Sequence, residues 1–132
     1  MRIAIAGGTG RIGRLTIDAL AQAGHQAVAL SRRAGADAYT GSGLKDALAG
    51  CDALIDVINT GSQDEAQIVD FFGTTTRNLL AAEEQAGVRH HVLLSIVNVE
   101  RGRRVAHYAG KREQERLVAR SEEHTSELQS RP

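Results

Sequence analysis

Apolar positions in this chain fall into two alternating kinds of segment. Short unbroken runs, Ile3-Ala4-Ile5-Ala6, Ala27-Val28-Ala29-Leu30, Ala53-Leu54-Ile55-Asp56-Val57-Ile58 and His91-Val92-Leu93-Leu94-Ser95-Ile96-Val97, read as strands buried on both faces. Between them lie stretches with helical spacing. Ile12, Leu15, Thr16, Ala19, Leu20 and Ala23 form an i, i+3, i+4, i+7 stripe that Gly24 ends. A long helix from Asp64 to Gln85 turns Ile68, Phe71, Phe72, Thr75, Thr76, Leu79 and Leu80 inward, and Gly87 stops it. A further strand is expected around Ala36 to Tyr39, a short helix over Leu44 to Leu48, and a last helix from near Arg104 that carries Tyr108, Lys111, Leu117 and Val118. Strand and helix alternate throughout, which predicts an α/β fold: a three-layer, doubly wound parallel sheet of about five strands.

The first strand runs into Gly7-Gly8-Thr9-Gly10-Arg11-Ile12-Gly13, and the stripe of the first helix starts inside that run. A strand-to-helix turn of this kind lacks Cβ atoms for three reasons: to reverse the chain tightly, to let a phosphate reach the backbone, and to let helix and strand pack closely. N–H groups at the helix start then face the ligand's negative charge. A G-x-G-x-x-G match (Gly8, Gly10, Gly13) by itself also arises by chance or as a structural turn. Here strand, turn, helix and second strand fit within about 30 residues, the size of a βαβ unit. The reading is a Rossmann domain with the pyrophosphate of a dinucleotide at Gly7, Thr9, Gly10, Arg11, Ile12 and Gly13.

The second strand ends in Ser31-Arg32-Arg33, where an NAD site would place Asp or Glu on the ribose 2′-hydroxyl. Guanidinium groups suit a 2′-phosphate instead, so NADP is expected before NAD, held by Arg32, which lies nearer the strand end, and Arg33. A solvated basic loop is the alternative. Asn59 and Thr60, at the polar end of the Ala53–Ile58 strand, are expected beside the adenosine ribose.

Composition removes other classes. The chain has 132 residues, with 16 basic and 16 acidic side chains and no net charge, which gives no basic patch for nucleic acid. It shows neither a signal-peptide pattern nor an apolar stretch of membrane-spanning length. A single cysteine, Cys51, forbids an internal disulfide and fits a reducing, cytoplasmic setting, with its side chain packed as a small apolar group. The spacing of His90, His91, His107 and His124 meets no metal-ligand pattern.

Over residues 1–120 the chain resembles the short-chain dehydrogenase/reductase superfamily, in its atypical branch of NmrA-like NAD(P)H-binding proteins. The glycine turn is similar to that branch's G-A-T-G-x-x-G. Asp70-Phe71-Phe72-Gly73-Thr74 through Asn78-Leu79-Leu80-Ala81-Ala82, then Ala86-Gly87-Val88, resembles the fourth helix of extended and atypical members. Val92-Leu93-Leu94-Ser95 resembles the strand that carries the active-site serine. The resemblance implies hydride transfer on a small carbonyl or quinone-like substrate, with Ser95, Tyr108 and Lys111 around the nicotinamide. It also implies a homodimer through the fourth and fifth helices. In the superfamily the catalytic pair is Tyr-x-x-x-Lys. Here His107 stands four residues before Lys111 and Tyr108 three, which turns the Tyr108 hydroxyl about 100° from the usual slot. A regulatory protein that senses NADP without turnover is therefore the alternative.

From Arg120 to Ser130 the sequence carries no family pattern and is similar to the translation of a common sequencing adapter. The expectation is a native domain at 1–120, truncated from a longer protein, a non-native tail at 121–132, and a fifth strand left at the sheet edge.

Overall fold

The computed structural model describes residues 1–62, 64–94, 105–121 and 126–129, with side chains of 105–108 and 126–129 outside the description. Its elements in chain order are β1 (Arg2–Ala6), α1 (Arg11–Gln22), β2 (Gln26–Leu30), α2 (Leu44–Leu48), β3 (Ala53–Asp56), α3 (Glu65–Ala86), β4 (His90–Leu94), α4 (Val105–Arg120) and β5 (Ser126–Gln129). All pairings are parallel and the strand order is β2-β1-β3-β4-β5. This is a Rossmann-like α/β fold. The order reverses at β1, where the chain steps out to β2 and returns to β3, and open α/β sheets hold their ligands at such a switch point.

The two faces of the sheet are covered unequally. Ala4, Ala6 and Leu54 pack with Leu44, Leu48, Ile68, Phe72 and Leu79 beneath α2 and α3. Ile3, Ile5 and Ala53 pack under Ile17 and Leu20 of α1. Helix α4 lies beside α3 so closely that a Cβ on Gly110 would fall 2.4 Å from the Phe72 ring. Among the described residues no helix is long and apolar enough to cross a membrane.

The structure corrects several expectations. Residues 36–39 are irregular chain leading into a turn, not a strand. The Asp37 carboxylate accepts from Tyr39 N at 2.9 Å, and Gly41 and Gly43 take φ of +86° and +74°, so side-chain and glycine turns replace a ladder. On α1 the inward stripe runs through buried Gly13 and half-buried Ile17 and Leu20, whereas Ile12 and Leu15 are exposed. Gly13 must face the glycine turn, and that requirement fixes the rotation of the helix. Strand β3 ends at Asp56, two residues early. The sheet does contain five strands, but the fifth is Ser126–Gln129, and it covers the edge of β4 that was expected to be free. Pairing along an edge uses main-chain groups, which every sequence offers.

Candidate functional site

At the C-terminal end of β1 the backbone turns through Gly7 at φ +89°, and Gly10 N donates to Gly7 O at 3.1 Å. A Cβ on Gly7 would lie 2.9 Å from the Val57 carbonyl carbon. One on Gly13 would lie 2.1 Å from the Gly7 oxygen, so turn, β3 exit and α1 are locked together. Gly10 is different. Its Cβ would meet only the Gly7 oxygen at 3.5 Å, an ordinary contact, so packing within the protein makes no demand for glycine there. The bare Gly10 leaves open the approach to α1, whose N-cap bears no side-chain bond and whose first turn holds no acid. That arrangement offers uncapped N–H groups to an anion.

Three adjoining concavities share Thr9. One of about 540 Å³ is lined by Gly7, Thr9, Gly10, Arg11, Ile12 and Gly13, by Val57, Ile58 and Asn59, and by Leu94 and Lys111. The second, about 600 Å³, extends over Leu30, Ser31 and Arg32 to Asp37, Tyr39, Asn59 and Thr60. A third of about 640 Å³ is bounded by Gly8, Thr9, Arg14, Ser31, Arg32 and Arg33. The groove thus runs from an Arg cluster at the β2 end, across the glycine turn, to Lys111. Every cofactor residue expected from the sequence lies along it. Ser95 lies outside the described residues, and so does the Tyr108 side chain, although Tyr108 itself belongs to α4.

Arg14 was not expected. It sits on α1 one turn from the helix start, and its Nε donates to the Thr9 carbonyl at 3.2 Å, which draws the guanidinium back over the glycine turn beside Arg32 and Arg33. Only the rotation of α1 about Gly13 reveals this; the hydrophobic pattern gave no signal for it. The loop bearing Asp37 and Tyr39 was also missed as a wall. Asn78 Nδ2 holds it to α3 by donating to the Ala38 and Tyr39 carbonyls at 2.9 Å each. The Tyr39 hydroxyl donates to Asp70 at 2.5 Å, and that bond, then the Asp70 charge, raises the phenol above its usual range.

At the other end, Lys111 is buried. Its Nζ donates to Leu94 O at 3.2 Å and Ile58 O at 3.4 Å and lies 4.6 Å from the Phe72 ring centroid. Burial lowers its pKa, against the opposing charges of Asp56 and Glu115. A flat phosphate-accepting turn, a guanidinium cluster at one end and an ammonium at the other can hold an elongated dianionic ligand in one orientation.

Fold and groove together define a nicotinamide-dinucleotide-binding α/β domain. The chain belongs to the NAD(P)H-binding family, whose profile matches residues 7–130. No curated protein matches it. Among solved structures, UDP-N-acetylglucosamine 4-epimerase from Bacillus cereus is similar over 98% of this chain and 52% of its own, with TM-score 0.80 and 18% identity. UDP-glucose 4-epimerase from Thermus thermophilus, in complex with NAD, is similar over 98% and 54%, with TM-score 0.75 and 18% identity. A short-chain dehydrogenase/reductase superfamily protein from Agrobacterium tumefaciens with bound NAD is similar over 98% and 47%, with TM-score 0.71 and 20% identity. The chain spans about half the length of these structures.

Proposed function

We propose that this chain is the cofactor domain of an NADP(H)-dependent oxidoreductase that acts by hydride transfer on a small carbonyl or quinone-like substrate. The observation that carries the reading is the concavity at the end of β2 bounded by Arg14, Arg32, Arg33 and Ser31. Three guanidinium groups at the end of β2 favour a ribose 2′-phosphate over a hydroxyl, and among the described residues no carboxylate lines that concavity, the nearest one in the groove being Asp37 of the adjoining one. Gly7, Thr9, Gly10, Arg11, Ile12 and Gly13 take the pyrophosphate, Asn59 and Thr60 the adenosine ribose, and Lys111 the nicotinamide ribose, with Ser95 and Tyr108 in the same catalytic set. When bound, the dinucleotide would supply the hydride, and these residues would hold it along the groove. Calorimetric titration with NADP and NAD tests the reading. Tighter binding of NADP supports it, and equal affinities overturn it.

The spacing of Tyr108 and Lys111 favours a second reading, a regulator that binds NADP without turnover. Steady NADPH oxidation with quinone or aldehyde acceptors by the full-length protein decides against it. A cytoplasmic homodimer through α3 and α4, which pack side by side at Gly73 and Gly110, belongs to the same proposal and is checked by solution mass.

A further inference from the structure

Asp56 ends β3 with its carboxylate wholly buried. Its Oδ1 accepts from Ile58 N at 3.0 Å and its Oδ2 from Gln114 Nε2 at 3.2 Å. Ile58 is the residue whose carbonyl oxygen accepts from Lys111 Nζ, and Gln114 lies three residues beyond Lys111 on the same face of α4. The carboxylate therefore holds the turn that presents one of the two carbonyl acceptors of the ammonium and the helix that carries it, while Leu94 O supplies the other acceptor. Gln114 is itself fully buried and its Oε1 has no hydrogen-bond partner among the described residues, so its bond to Asp56 is the use the fold makes of it.

The charges agree with the geometry. A buried carboxylate is costly unless an opposite charge is near, and among the described residues no basic group lies within ion-pair distance of Asp56. The charged groups that act on it are Lys111 on α4, Glu83 on α3 and His91 on β4, and Glu115 on α4 acts on Lys111 in turn. His91 is hydrogen-bonded to Glu83, whereas Lys111 makes no carboxylate ion pair among the described residues and feels Asp56 more strongly than Glu115.

We propose that Asp56 and Gln114 are positioning residues for Lys111, the buried carboxylate holding the ammonium charged and inward at the end of the groove through Gln114 and the Ile58 turn. The catalytic use of that ammonium rests on the dinucleotide reading above; its positioning does not.

The sequence contains two lysines, exposed Lys45 and buried Lys111, so protein grown with [13Cε]-lysine gives two resonances that a pH titration follows directly, Lys45→Arg assigning them. Asp56→Asn removes the charge and keeps the shape, since a rotated Gln114 amide can offer Oε1 to the new donor. The expected result is a Lys111 midpoint about one pH unit lower in Asp56→Asn, a tenfold loss of proton affinity, with Lys45 unmoved. Gln114→Met should shift it the same way by less, and it decides the matter alone where Asp56→Asn does not fold. An unmoved Lys111 titration, even with a lower unfolding midpoint, would mean that the two residues only support the fold and would overturn the proposal. Calorimetry with NADPH separates the two claims. Wild-type protein with the Asp56-dependent titration but no NADPH binding leaves the positioning standing and overturns the dinucleotide reading, whereas binding with no such dependence overturns the positioning.

Discussion

Gly13 stands so close to Gly7 that a Cβ on it would lie 2.1 Å from the Gly7 carbonyl oxygen, while a Cβ on Gly10, three residues nearer, would touch that same oxygen at an ordinary 3.5 Å. The two glycines serve different ends. Gly13→Ala should displace α1 from β1 and cost more than about 2 kcal/mol of stability, as overpacking against backbone does. Gly10→Ala should leave the stability within about 1 kcal/mol, because its φ of −80° suits alanine, yet place a methyl where the pyrophosphate approaches. Denaturant unfolding and NADPH titration of both variants check this. Tight NADPH binding by Gly10→Ala would contradict it.

The buried pair Glu83 and His91 gives a pH dependence with a definite sign. Burial lowers the His91 pKa, but the hydrogen bond and charge of Glu83, with Asp56 behind it, outweigh burial and hold the imidazole above its ordinary 6.5. The folded state then binds more protons at His91 than the unfolded one between 6.5 and the raised value, so the contribution of His91 to stability is full below 6.5 and declines as pH rises through that window. Glu83→Gln removes the main cause of the rise and should abolish the decline. A wild-type stability that increases from pH 6.5 to 8 would contradict the assignment.

Strand β5 should contribute little. Its four residues add a few main-chain hydrogen bonds to β4, each contributing about 0.5 to 1.5 kcal/mol, while ordering each residue costs about 1 to 2 kcal/mol. The two nearly cancel, and deletion of residues 122–132 should change unfolding free energy by less than about 2 kcal/mol. A larger loss would mean that side chains of this segment are integrated into the core.

Tyr108 sits three residues before Lys111, so ketone reduction, which needs a positioned proton donor, should be slow in the full-length protein relative to quinone reduction, where water can supply protons. A positioned acid contributes about 10²- to 10⁴-fold. Fast ketone reduction that Tyr108→Phe abolishes would show that Tyr108 fills the donor role despite its spacing.

The fold was legible wherever one period ruled a segment. β1, the glycine turn, β2 and α3 follow directly from apolar runs and stripes, and Arg32 and Asn59 from their places at strand ends, whereas Lys111 was legible only through the family resemblance. Where local side-chain chemistry competed, the pattern misled: Ala36 to Tyr39 has the composition of a weak strand, but the Asp37 carboxylate and two left-handed glycines make turns of it. Arg14 was hidden because steric closeness at Gly13, not the apolar stripe, sets the rotation of α1. Asp56 was hidden inside a run that reads as strand, since its partners Ile58 and Gln114 become neighbours only through tertiary structure. β5 follows from an open edge, which no pattern within its own four residues announces.

We propose that the arginine cluster at the end of β2 selects the 2′-phosphate, and paired calorimetric titrations of wild type, Arg32→Ala and Arg14→Ala with NADP and NAD test this selection. Loss of one charge-assisted hydrogen bond costs about 1.5 to 3 kcal/mol. Each variant should therefore bind NADP roughly 10- to 150-fold more weakly while its affinity for NAD stays unchanged. Equal weakening of both dinucleotides, or a wild type that prefers NAD, would contradict a 2′-phosphate site at these arginines.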